Sequence, residues 1–136
     1  RYLASKHASG TLYPTDLQLR AKAERWMDWQ ISTMSPTLVP VFWGMIRTAP
    51  EKRDLDAIEG ARKKLSANIA IMDNHLSDST YMAGENLTMG DIPLGITAFR
   101  WFNMEIEREP YQNVKRWYDQ LSERPAFQEH VMNPME

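Results

Sequence analysis

Tyr81-Met-Ala-Gly-Glu-Asn-Leu-Thr-Met-Gly-Asp-Ile-Pro-Leu-Gly-Ile-Thr-Ala-Phe-Arg-Trp-Phe102 reads as a loop delivering a capped helix into a buried core. Thr88 stands three residues before Asp91, the Ser/Thr-x-x-acid spacing of a capping box, with Asp91 in place of the usual Glu or Gln. The spacing predicts that the Thr88 hydroxyl accepts from the Asp91 N–H. It also predicts that the Asp91 carboxylate reaches back to the Thr88 N–H and meets the positive end of the helix dipole. Leu87 and Ile92 occupy the flanking positions of a hydrophobic staple. The helix that follows, through Phe102, is apolar on nearly all sides, the pattern of a buried central helix.

Working outward, Ser9-Gly10-Thr11-Leu12-Tyr13-Pro14 has the composition of a linker, and Thr15-Asp16-Leu17-Gln18 reads as a second capping box with Gln18 as the return partner. A long helix is expected from there to about Arg47, kinked or broken where Pro36 and Pro40 each remove a backbone donor. The next helix carries Ile58, Ala61, Leu65, Ile69, Met72 and Leu76 at steps of three and four. Glu59, Arg62, Lys63 and Lys64 lie off that stripe and are expected to meet solvent. Glu109-Pro110 ends the central helix. Val114, Trp117, Tyr118 and Leu121 share one face of the helix after it. Pro125 suits the first turn of a short last helix, and the tail from Met132 to Glu136 reads as frayed. No segment alternates with strand period, so the residues predict an all-α bundle of about five helices around a buried central helix.

At 136 residues the chain suits one core. With 43% hydrophobic and 25% charged residues it has the composition of an ordinary globular domain. A net charge of −2 offers no electrostatic case for nucleic acid or an anionic membrane as partner. No apolar run is long enough to span a bilayer. The chain has no cysteine, which excludes a thiolate nucleophile and a disulfide frame and fits a reducing compartment. His7, His75 and His130 are far apart and lack metal-ligand spacing, so no metal site is expected. No phosphate-cradling glycine loop or nucleophile elbow occurs, and no catalytic residue is identified. Asn86-Leu87-Thr88 matches a glycosylation acceptor, but the capping role explains Thr88 better. A chain starting at Arg1 and not Met reads as a piece of a longer protein.

The 9 Met and 5 Trp carry one sharper idea. Trp26, Trp29, Met34, Phe42, Trp43 and Met45 cluster in the first long helix, interleaved with Gln30, Ser32, Thr33, Ser35 and Thr37. Two readings stand: a packed core, or an apolar cleft wall with a few orienting polar groups.

Tyr81-Met-Ala-Gly-Glu-Asn-Leu-Thr-Met-Gly-Asp91 resembles the (F/Y)-(L/M)-x-G-x-x-(L/F)-(S/T)-x-A-D signature of the glutathione S-transferase C-terminal domain, of bacterial type. Arg1-Tyr-Leu-Ala-Ser-Lys-His7 is similar to the end of the last helix of that family's thioredoxin-like domain. Trp117-Tyr-Asp-Gln-Leu-Ser-Glu-Arg-Pro-Ala-Phe127 is similar to the family's late W-x-x-x-(L/I)-x-x-R-P-A-F element. Gly90 replaces the Ala common before the Asp, which would loosen the first turn. The resemblance implies that residues 1–14 end a thioredoxin-like domain and linker, and that 15–136 form the helical C-terminal domain. It implies a cytoplasmic enzyme that conjugates glutathione to electrophiles, with glutathione held mainly by the preceding domain, and a homodimer in the full-length protein. By position it implies pocket contacts from Trp26, Gln30, Thr33, Met34 and Thr37, and a structural role for Thr88 and Asp91. The same domain also serves non-catalytic proteins as an assembly module, and the residues leave that alternative open.

Overall fold

A computed structural model describes residues 1–135 of the chain. Helix α1 (Tyr2–His7) is followed by a turn in which Gly10, at φ +82°, donates its N–H to the Tyr13 carbonyl at 2.8 Å. Helix α2 (Leu17–Trp29) is capped by Asp16, whose carboxylate accepts from the Leu19 N–H at 2.8 Å. The cap therefore sits one residue later than the Thr15–Gln18 box expected from sequence. Asp16 has the extended backbone of a cap residue, and its carboxylate faces the positive helix end.

The expected break at the prolines does not occur. The helical backbone runs on through a widened π-helical stretch (Gln30–Met34), α3 (Ser35–Phe42) and a second such stretch (Trp43–Arg47). Pro36 lies in the first turn of α3, where its missing N–H costs little. Upstream, the Ser35 N–H bonds back to the Gln30 carbonyl, so a wide turn precedes the proline and the helical backbone stays continuous. Pro40 is inside α3, and the second wide turn follows it.

Helix α4 (Leu55–His75) is capped by Asp54 through the Ala57 N–H at 3.0 Å. It runs antiparallel to the α2–α3 rod: a Cβ on Gly44 would lie 2.4 Å from the Ile58 side chain, Asn68 bonds Thr37, and the His75 ring lies tilted against Trp26, with centroids 4.7 Å apart. Leu65, Ile69, Met72 and Leu76 are fully buried. Arg62 departs from expectation. It is buried, donates twice to Glu59 at 2.7 and 2.9 Å and reaches the Glu107 carbonyl at 3.1 Å. A long side chain off the apolar stripe has the reach to fold over the helix and pin the loop after α5.

Helix α5 (Asp91–Asn103) is the buried centre, with Leu94, Ala98 and Trp101 at 0% exposure. It ends at Asn103, well before Glu109-Pro110. Arg108 supplies the stop by donating to the Trp101 and Met104 carbonyls at 3.1 and 2.6 Å. Helix α6 (Gln112–Ser122) buries Val114, Trp117, Tyr118 and Leu121. Its first turn is capped from another helix: Asp73 of α4 accepts from the Val114 N–H at 2.9 Å. In return Arg116 of α6 donates to the Leu76 carbonyl at the end of α4, at 2.6 Å. Helix α7 (Pro125–His130) begins on its proline. The tail is not free as far as it is described, because Met135 packs against the main core. Glu136 lies outside the described residues. Counting the α2–α3 rod once, five α-helices form an all-α body among the described residues, preceded by the short α1.

Candidate functional site

The Thr88–Asp91 segment sits where loop, central helix and α6 meet. Asp91 is at 0% exposure, and four donors point at its carboxylate. Oδ2 accepts from the Thr88 N–H at 2.8 Å and from the Thr88 hydroxyl at 3.2 Å. Oδ1 accepts from the Met82 N–H at 2.8 Å and from the Trp117 indole N–H at 3.0 Å. The Thr88 hydroxyl thus donates to Asp91 and accepts from the Gly90 N–H at 3.3 Å, while the Asp91 N–H goes to the Thr88 carbonyl at 3.1 Å. This corrects the expected direction of that bond: with Asp91 already inside the helix, the hydroxyl reaches the carboxylate and not the amide. Burial pushes the Asp91 carboxyl above its ordinary value, and the four hydrogen bonds oppose that push. Met82 and Trp117 were not identified from sequence as partners. Trp117 falls on an apolar stripe, and the one available signal was that a buried indole N–H needs an acceptor.

Gly90 does not loosen this turn. A Cβ there would lie 2.8 Å from the Ala23 carbonyl oxygen, so glycine lets the start of α5 rest on the α2 backbone. Leu87 packs against the core, whereas Ile92 is 45% exposed, so the staple is one-sided.

The five pocket candidates do not gather on one open surface. Trp26 and Met34 belong to the core, at 6% and 0% exposure. Gln30 is half-buried and donates its amide to Ser35 Oγ at 2.9 Å and to Thr97 Oγ1 of α5 at 3.4 Å. The Thr33 carbonyl accepts from Asn68 at 3.4 Å. Thr37 Oγ1 accepts from the same amide at 3.1 Å and donates to the Met34 carbonyl at 2.9 Å. Their polar atoms therefore join helices to one another.

Two hollows lie elsewhere. One of about 890 Å³ has apolar walls from Leu12, Leu87, Ile92, Leu121 and Phe127, with Thr88 and Asp91 also lining it and Arg124 and His130 on the α7 side. A second, of about 510 Å³, is bounded by Leu3 and Ala4 of α1 and by Met27, Met89, Ile92 and Ile96. Along the rod, Ile31, Val39 and Trp43 expose 67%, 46% and 59% of their surface. Among the described residues no cluster of three acidic, His or Cys side chains is placed to hold a metal, and no helix is long and apolar enough to cross a membrane.

The sequence profile described as "Glutathione S-transferase, C-terminal domain" matches residues 31–125. The chain belongs to that family. It is 36% identical to the glutathione S-transferase GstB of Escherichia coli over 135 residues, which is 99% of this chain and 65% of the relative. It superposes on a theta-class glutathione S-transferase of Xanthomonas axonopodis pv. citri, solved with glutathione bound, with a TM-score of 0.96 and 39% identity. That match covers all of this chain and 71% of the other. Elongation factor 1-gamma-B of Xenopus laevis is 31% identical over 74 residues, 52% of this chain and 17% of that protein. The glutathione S-transferase domain described here thus spans 65% of the length of its Escherichia coli relative. Its all-α architecture and buried central helix are those of the family.

Proposed function

We propose that this domain is the helical C-terminal part of an enzyme that conjugates glutathione to electrophilic substrates. The similarity to a glutathione S-transferase along 99% of this chain is the observation that carries the reading. Conjugation needs glutathione as its thiolate, which attacks the electrophilic carbon. This cysteine-free chain supplies helical walls to that chemistry, and glutathione is held mainly by a preceding thioredoxin-like domain whose last helix and linker are residues 1–14. Residues 15–136 are then the C-terminal domain. The two apolar hollows beside residues 1–14 suit surfaces against which the preceding domain packs.

Gln30, Thr33 and Thr37 keep part of their surface open and are the residues of the rod best suited to meet an electrophile. Trp26 and Met34 back them from the core. The exposed Ile31, Val39 and Trp43 are suited to subunit contact in a cytoplasmic homodimer. A second reading, a non-catalytic assembly module, is favoured by the likeness to the elongation factor over about half of the chain. Calorimetric titration of glutathione into this chain and into the longer protein separates them. Binding by the longer protein alone supports the enzyme reading. Absence of binding by both favours the assembly module, and binding by this chain alone overturns the placement of the site.

A further inference from the structure

The far end of the rod gathers positive charge. Phe42, half-buried and packed against the main core, has two guanidiniums over its ring. Arg100 of α5 lies 4.7 Å from the ring centroid, and Arg47, in the last turn of the rod, lies 5.9 Å from it. No other ring among the described residues carries two cations. A guanidinium drawn to a ring by its charge still has its N–H donors to satisfy. Among the described residues neither Arg47 nor Arg100 pairs with a carboxylate or donates to a carbonyl. The rod does not need Arg47 as its cap. Arg53 already donates to the Met45 and Thr48 carbonyls at 2.6 and 3.1 Å, and the Thr48 hydroxyl takes the Trp43 carbonyl at 3.0 Å. Of the two acids in the following loop, Asp54 caps α4 and Glu51 forms no ion pair with either arginine.

We propose that Arg47 and Arg100 form a binding site for the carboxylate of a small molecule where the rod ends. Two like charges brought to one ring, with no acid paired to either, repel each other. The negative end of the rod offsets only part of that repulsion. A carboxylate offsets the rest, because its two oxygens accept side by side from the N–H fork of a guanidinium, a match that lysine does not provide. Arg47 is exposed and Arg100 half-buried, so the pair is open to solution while one of its cations is held in place by the body. The inference stands on these side chains and does not rest on the enzyme reading above.

Titration with benzoate at about 20 mM salt, followed through the arginine Nε–H resonances of the chain, tests it. Arg47 and Arg100 should shift together and saturably, and the neutral benzamide should leave both unmoved. Arg47→Gln and Arg100→Gln should each weaken benzoate binding about tenfold. The backbone amides of α4 and α6 report whether either variant disturbs the fold, and they should not move. Arg25→Gln removes an arginine that lies over Trp26 by itself and should leave benzoate binding unchanged. Shifts spread equally over all the arginines overturn the site, as does binding that survives both variants. Benzoate binding that weakens as the chain is concentrated also overturns it, because an acid of a second copy is then the occupant.

Discussion

Replacing Asp91 with alanine separates two views of this residue. If it were only a helix cap, the substitution would cost about 1 kcal/mol. The structure asks for more. Removing the carboxylate strands the Met82 and Thr88 amides and the Trp117 indole N–H in a site with no exposure, while the Thr88 hydroxyl has freedom to turn elsewhere. Each buried donor left without a partner costs about 1–3 kcal/mol, so three of them cost about 3–9 kcal/mol. Relief from burying a charge offsets part of this, leaving a net loss of about 3–4 kcal/mol. For a chain of 136 residues that lowers the melting temperature by about 10–15 °C. Urea unfolding followed by Trp fluorescence, with the slope held fixed, is the assay.

Asp91→Asn keeps the shape but turns an amide N–H₂ toward one pair of donors, and should lose about 2 kcal/mol. It also carries a pH test. Burial raises the folded-state value of Asp91 above 3.8, so its contribution favours folding most below that pH and declines as pH rises through the raised value. The stability of the parent relative to Asp91→Asn should therefore fall as pH rises from 3.8. A loss of 1 kcal/mol or less for Asp91→Ala would refute the hub and leave an ordinary cap.

Other substitutions probe the packing around it. Gly90→Ala drives a methyl to 2.8 Å from the Ala23 carbonyl oxygen and should destabilise by about 1–3 kcal/mol in thermal melts, although alanine is the better helix former. Asp73→Ala removes the cap that α4 provides to α6 and should cost about 1 kcal/mol in urea titration, with faster exchange confined at first to the α6 amides. Glu109, hydrogen-bonded by Ser66 and lying 3.6 Å from Arg62, is held below its ordinary 4.5. Its stabilising contribution is present above pH 4.5 and is lost as pH falls through the lowered value. Glu109→Gln should flatten that part of the acid-denaturation profile, and an unchanged profile would remove Glu109 from the network.

The helices were legible in the residues because burial imposes a period. Ile58 to Leu76 and Val114 to Leu121 repeat at the step of a helix face, and the run from Ile92 to Phe102 is apolar on nearly all sides. Thr88 and Asp91 were legible for a similar reason, since a capping box is a contact three residues long. What the chain order does not carry is the identity of partners brought in from afar. Trp117 on Asp91, Asp73 on Val114, Arg116 on Leu76 and Arg62 on the loop after α5 join residues tens of positions apart. Periodicity assigns a side chain to a face but not to an acceptor. The prolines make the same point within one helix. Pro36 and Pro40 predict a break from their local chemistry, but packing against α4 and α5 keeps the rod running, with one wide turn before Pro36 and another after Pro40. Trp26 and Met34 look alike in sequence whether they line a cleft or fill a core. They fill the core here because the helices that cover them, α4 and α5, come from elsewhere in the chain. Helical spacing is a property of neighbours along the chain, whereas burial is a property of what those neighbours meet.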